Sequence, residues 1–151
     1  MVLHSCLVDT NVLLRLARYP APQLELIRNA IAKLKSDGTS LYYTQQNIAE
    51  LWNVMTRPAV RNGFGLTVAE ADVEVRAIEA IMTRLLDSEA VYWEWRRLVL
   101  EYAVSGSQVH DARLVAAMGV HGVRHILTMN VADFRRYGGI TVVHPNDVLG
   151  L

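Results

Sequence analysis

Apolar positions near the N-terminus fall into two runs separated by a carboxylate. Cys6, Leu7 and Val8 are consecutive, which suits a strand that meets core on both faces. From Val12 to Leu16 the apolar positions take helical spacing. Asp9 stands between the runs, at the carboxyl end of a strand and on the turn into a helix. Ligands of open α/β sheets bind outside such strand ends. Asp is also a preferred helix cap, and taken alone the position favours a cap.

The same reading continues along the chain. The first helix runs through Arg18 and is broken by Tyr19-Pro20-Ala21-Pro22, since Pro suits only a helix's first turn. Leu24, Ile27, Ile31 and Leu34 then carry a second helix up to Gly38, a C-cap. Ser40 to Tyr43 reads as a second strand, so this span makes a right-handed βαβ unit with parallel strands. Thr44 caps a helix striped by Ile48, Leu51, Trp52 and Met55, ended by Pro58 and by Arg61-Asn62-Gly63-Phe64-Gly65. Glu50 lies on that helix away from the stripe, on a face that is usually solvated. Thr67 and Glu70 form a capping box that opens a long helix with Ala71, Val75, Ile78, Met82 and Leu85 turned inward. A further helix, from about Glu89 to Val104, puts Tyr92, Trp95, Val99 and Tyr102 on one side. It packs on the preceding helix as a hairpin, and Trp93 falls off its stripe, where a dimer contact suits it.

Ser107 caps the next helix, which Gly119 and Gly122 close. Asp111 is in its first turn, and Leu114, Val115 and Met118 share its face at three, four and seven residues. A carboxylate within an apolar stripe costs several kcal/mol, as an order of magnitude, unless it is compensated. The helix dipole returns only ~0.3–1 kcal/mol when exposed, so a cation, metal or Arg, is the better explanation. His125 to Thr128 is a strand, and Asn130 and Asp133 again follow a strand's carboxyl end. Gly138-Gly139 leads to a last strand, Ile140 to Val143, terminated by His144-Pro145-Asn146-Asp147.

Composition adds limits. A chain of 151 residues has the size of one domain, 1–151, and buries roughly 70% of its unfolded surface. Apolar runs stop well short of the ~20 residues of a membrane span. Asp9 and Arg15 interrupt the N-terminal apolar segment, so no signal peptide is expected. With a single cysteine, Cys6, no intrachain disulfide forms, and a cytoplasmic, reducing location is expected. Net charge is zero, so contacts with a phosphate backbone must come from local patches. Arg57, Arg61, Arg96, Arg97, Arg135 and Arg136 are candidates, although solvated helix faces explain most of them better. His121 and His125 are four apart, but Gly122 between them argues against a shared zinc-binding face.

Asp9, Asp111 and the Asn130/Asp133 pair thus arrive at one end of a parallel sheet, with Glu50 able to join them. Carboxylates within ~4 Å repel by roughly 4 kcal/mol per pair at an effective dielectric near 20. An all-oxygen cluster of this kind suits Mg²⁺ or Mn²⁺, and such a site favours phosphate chemistry.

These residues resemble those of the PIN-domain ribonucleases, in particular the VapC-type toxins of toxin–antitoxin pairs. The likeness is carried by Asp9-Thr10-Asn11, by Glu50 within Asn47-Ile48-Ala49-Glu50-Leu51, by His110-Asp111-Ala112-Arg113-Leu114 and by Leu127 to Phe134. It extends from Cys6 to about Val148. The resemblance implies a three-layer α/β/α sandwich around a parallel sheet of four to five strands. It implies Asp9, Glu50 and Asp111 as primary acids and Asp133 as the fourth, with Asp9, Asp111 and Asp133 on Mg²⁺ or Mn²⁺. Asn130 fits only as a neutral ligand; Thr10, Asn11 and Thr128 would hold the carboxylates in place. The implied reaction is metal-assisted hydrolysis of RNA, by a homodimer inhibited by a small antitoxin. An inactive PIN-fold module binding RNA or protein is the alternative. Haloacid-dehalogenase-like phosphatases need a second acid where Asn11 stands, and receiver domains need an acidic pair and a late Lys that this chain lacks.

Overall fold

The computed structural model describes residues 2–17 and 23–151. β1 (Ser5–Val8), β2 (Ser40–Thr44), β3 (Thr83–Leu85), β4 (His125–Leu127) and β5 (Thr141–Val143) form one sheet in the order β3-β2-β1-β4-β5. Every pairing is parallel, with Leu7 opposite both Tyr42 and Ile126, and Leu127 opposite Val143. The helices are α1 (Thr10–Ala17), α2 (Gln23–Ser36), α3 (Gln45–Thr56), α4 (Val68–Ile81), α5 (Glu89–Glu101), α6 (Gln108–His121) and α7 (Pro145–Leu149). None of the described helices is long and apolar enough to cross a membrane. The proline break at 19–22 and the end of the first helix at 18 lie outside the described residues.

Side chains alternate across a strand, and the central strand shows the result. Cys6 and Val8 face a core built with α1, α2, α3, α4 and α7, whereas Leu7 faces a second core built with α5 and α6. All three are fully buried, as the unbroken apolar run predicts. Helices cover both faces, and the expected three-layer α/β/α sandwich is present with five strands.

Four sequence expectations are corrected. The helix opened by the Thr67–Glu70 box ends at Ile81, and Leu85 belongs to β3. Met82 and Leu85 are both buried, so a short strand leaving the helix happened to preserve the inward spacing. α4 and α5 are not a hairpin: β3 separates them and carries the chain to the other face, where α5 packs on α6. On α5 the buried line is Val91 and Leu98, with Trp95, Val99 and Tyr102 partly buried, while Tyr92 is exposed. Ser107 precedes α6 without a side-chain cap bond. The last segment goes further than expected, because His144 caps the extra helix α7 with Pro145 in its first turn. Gly38 and Gly122 do close their helices, both with positive φ.

From β1 the chain builds outward to β2 and β3, then crosses to β4 and β5 on the other side. The crevice between β1 and β4 is therefore the topological switch point, where an α/β sheet offers a ligand site beyond its carboxyl ends.

Candidate active site

Asp9 leaves β1 at this switch point, its N–H donating to the Leu127 carbonyl of β4 at 2.9 Å. Its own carbonyl accepts from Val12 and Leu13 and starts α1. The carboxylate, only 7% exposed, accepts three hydrogen bonds. The Thr10 N–H reaches Oδ1 at 2.8 Å; the Thr128 hydroxyl (2.8 Å) and the Asn11 amide (3.1 Å) reach Oδ2. The Thr128 hydroxyl also accepts from the Asn11 side chain and the Asn130 N–H, and Asn11 Oδ1 accepts from the Met129 N–H. One hydroxyl thereby joins the loop after β4 to the turn after β1. The cap assigned to Asp9 is real only at the Thr10 N–H; its other oxygen is committed to the β4 loop.

Glu50 is not a solvated bystander. Its Oε2 accepts from the Thr10 hydroxyl at 2.7 Å, and its Oε1 accepts from Gln46 Nε2 at 2.8 Å. The same Gln46 amide donates to the His110 carbonyl at 2.8 Å, tying α3 to the first turn of α6 beside Asp111. Thr10 in turn accepts from Asn47 Nδ2 at 3.0 Å. Asn47 is fully buried, and its Oδ1 accepts from both the N–H and the hydroxyl of Thr44. It completes a capping box with Asn in the place where Glu or Gln is usual.

Asp9, Glu50, Asp111 and Asp133 line one cleft of about 350 Å³, together with Thr10, Asn11 and Asn130. Thr128 lies beneath it, fully buried. The acids come from four separate segments, the β1 turn, α3, α6 and the 3₁₀ turn Val131–Phe134. Burial pushes the Asp9 carboxyl up to about 6, against the Thr128 and Thr10 hydrogen bonds, with the charges of Glu50 and Asp133 adding to the rise. Asp111 is pushed up to about 7, first by burial, then by Asp9, Asp133 and Glu50, with Arg136 opposing. Among the described residues no Lys or Arg is ion-paired with any of the four.

The donor set fits a hard cation. It is all oxygen, with neither His nor Cys lining the cleft. Every hydrogen bond on Asp9 comes from a donor, an arrangement matched to the ionised form that burial opposes. A bound cation removes that conflict. Among the described residues no three acids already stand together as a closed ligand set, and direct ligation by three of them would need side-chain rotation within the cleft.

Gln46 and Asn47 were missed as functional residues, because polar groups early in a helix read as solvated or capping. The available signal was Asn47 three residues after the Thr44 cap. Asn47→Ala would strand the Thr44 N–H and leave the Thr10 hydroxyl without a donor. At ~1–3 kcal/mol per buried unsatisfied group, roughly 2–4 kcal/mol of stability should be lost, which urea denaturation would measure; an unchanged midpoint would refute this reading. Of the arginines considered for RNA contact, Arg97 is held by Glu94 and Glu101, Arg136 donates to Gln108, and Arg57 to the Asn62 carbonyl. Arg96 lies over the Trp93 ring, 5.9 Å from its centroid.

A model of the PIN domain matches residues 6–140. No curated protein matches the chain in sequence. Among solved structures, VapBC2 from Rickettsia felis, bound to a DNA fragment from its promoter, is similar with TM-score 0.67 at 11% identity, over 93% of this chain and 98% of that one. FitAcB from Neisseria gonorrhoeae is similar with TM-score 0.61 at 17% identity, over 93% and 97%. Mycobacterium tuberculosis VapC20, a sarcin-ricin loop cleaving toxin, gives TM-score 0.57 at 15% identity, over 80% and 86%. At such identities the likeness is one of fold. The family match itself begins in the strand that delivers Asp9 and ends beyond the turn that carries Asp133, so it spans all four acids of the cleft, and the chain belongs to the PIN domain family.

Proposed function

We propose that this protein is a metal-dependent endoribonuclease and the toxin half of a toxin–antitoxin pair. The observation that carries the reading is the cleft itself: four acids from distant segments, two with strongly raised pKa, and no basic partner among the described residues. Asp9, Asp111 and Asp133 would hold Mg²⁺ or Mn²⁺. When bound, such an ion neutralises charge on a phosphodiester and makes water a competent nucleophile at neutral pH. Thr10, Asn11 and Thr128 hold Asp9 in orientation. Glu50, fixed by Thr10 and Gln46, would take a proton from the attacking water. Asp133, which lines the same cleft as Asn130, would supply the fourth charge; Asn130 would offer a neutral oxygen or a donor.

Purified protein incubated with transfer, messenger and ribosomal RNA should cut at least one of them with Mg²⁺ or Mn²⁺, and chelation should stop it. RNA that is bound but left intact with either ion would instead favour a PIN-fold binding module. The VapBC and FitAB complexes among similar structures support an antitoxin partner, and the toxin itself would be a homodimer. A Lys or Arg of that partner would enter the acid cleft in place of the ion. Co-expression with the neighbouring reading frame should recover the pair by pull-down; a chain that stays monomeric and partnerless would count against it.

A further inference from the structure

Two hollows continue the acid cleft along the same rim. The nearer, about 400 Å³, shares Glu50 with the cleft and has Gln46, His110, Asp87 and Arg113 among its other walls. The farther, about 370 Å³, again has Asp87 and Arg113 at its edge and adds Tyr92 and Trp95. The shared residues make a trough that starts at the acids, passes a guanidinium and ends on two aromatic rings.

We infer that this trough holds the substrate strand beside the scissile bond, with a phosphate on Arg113 and the adjoining base against Trp95 and Tyr92. The inference rests on the ribonuclease reading above. A cleft of acids repels a polyanion, so grip on the flanking nucleotides must come from cations and rings next to it. Arg113 meets that need. Its pair with Asp87 is 3.7 Å long, with side chains 42% and 46% exposed, and so loose and solvated a pair does not commit the guanidinium. Its planar fork of donors matches a phosphate. Trp95 is held in place by Nε1 donating to the Val109 carbonyl at 2.8 Å. Tyr92 stands 6.2 Å from it, centroid to centroid, tilted by 41°, and half of Tyr92 is exposed. Fixed rings beside a basic group are what single-stranded RNA binds, by stacking that tolerates any base.

The test is fluorescence anisotropy with a short labelled single-stranded RNA of mixed sequence, in chelator, over a series of salt concentrations. Arg113→Gln should weaken binding severalfold and flatten the log–log salt slope by about 0.7, the value of one phosphate contact on a single strand. Loss of stacking in Trp95→Leu or Tyr92→Ala should weaken it by roughly fivefold or more. Tyr92, being exposed, keeps the test valid should Trp95→Leu unfold. Val60→Ala, exposed and outside the trough, should bind as wild type does. Wild-type affinity and slope in both Arg113→Gln and Tyr92→Ala would overturn the inference, while Mn²⁺-dependent cutting by the same proteins would leave the nuclease reading standing. Weakened binding in a protein that never cuts RNA would do the reverse. RNA neither bound nor cut by wild type would overturn both.

Discussion

Asp111→Asn is expected to lower RNA cleavage by roughly 10²–10⁴-fold while the protein stays folded. Among the described residues no hydrogen bond holds the Asp111 carboxylate, and burial and its acidic neighbours drive its pKa up to about 7. Removing that charge relieves repulsion, so the metal-free variant should melt no lower than wild type above pH 7. Asp9→Asn should lose as much activity but also some stability. All three partners of Asp9 are donors to its oxygens, and an amide must turn its own N–H₂ toward one of them. Single-turnover cleavage read beside thermal melting separates the two effects. Activity in Asp111→Asn equal to wild type would mean that the cutting comes from a contaminant or from another site.

Mn²⁺ should stabilise the protein much more at pH 7.5 than at pH 5. Asp9 rises from its ordinary 3.8 to about 6 in the folded chain, and Asp111 from 3.8 to about 7. Between the ordinary and raised values the folded chain keeps protons that the unfolded chain has released. Metal-free stability therefore falls as pH climbs from about 4 to about 7. For buried Asp9 alone, at ~1.36 kcal/mol per pH unit, the loss is about 3 kcal/mol. An ion needs these carboxylates deprotonated, so its affinity rises across the same range. At a hundred times Kd it returns about 2.7 kcal/mol, or roughly 5–10 °C in a chain of this size. Melting curves with and without Mn²⁺ across this pH range would show it. A metal-induced shift that ignores pH would place the ion away from Asp9 and Asp111.

Asp9 and Asp111 were legible in the sequence because each interrupts an apolar pattern, one at the end of a buried run and one inside a helical stripe. Burial without a partner is a local contradiction, and local contradictions can be read from spacing. Glu50 was not legible in this way: on pattern alone it belonged to a wet face. It faces the cleft because Thr10, forty residues earlier, donates to it, and pairing across that distance is invisible to periodicity. The role of Asn47 is hidden in the same way, since its amide reaches Thr10, thirty-seven positions earlier. The parallel pairing of β1 and β2 followed from the order strand, helices, strand, but β3 did not follow. At three residues it is too short to show alternation, and Met82 and Leu85 kept a helical interval with Ile78. The error spread, because a continuous helix there made α4 and α5 neighbours when the strand between them sends them to opposite sides of the sheet.

The two outermost strands are short as well. β3 and β5 each have three residues, and β3 presents Thr83 and Arg84 to solvent. Unpaired edges invite another chain to add on, and brevity and charge are how proteins discourage it. A second copy of this chain is thus steered away from prolonging the sheet, and two copies meeting face to face would do so across helix surfaces.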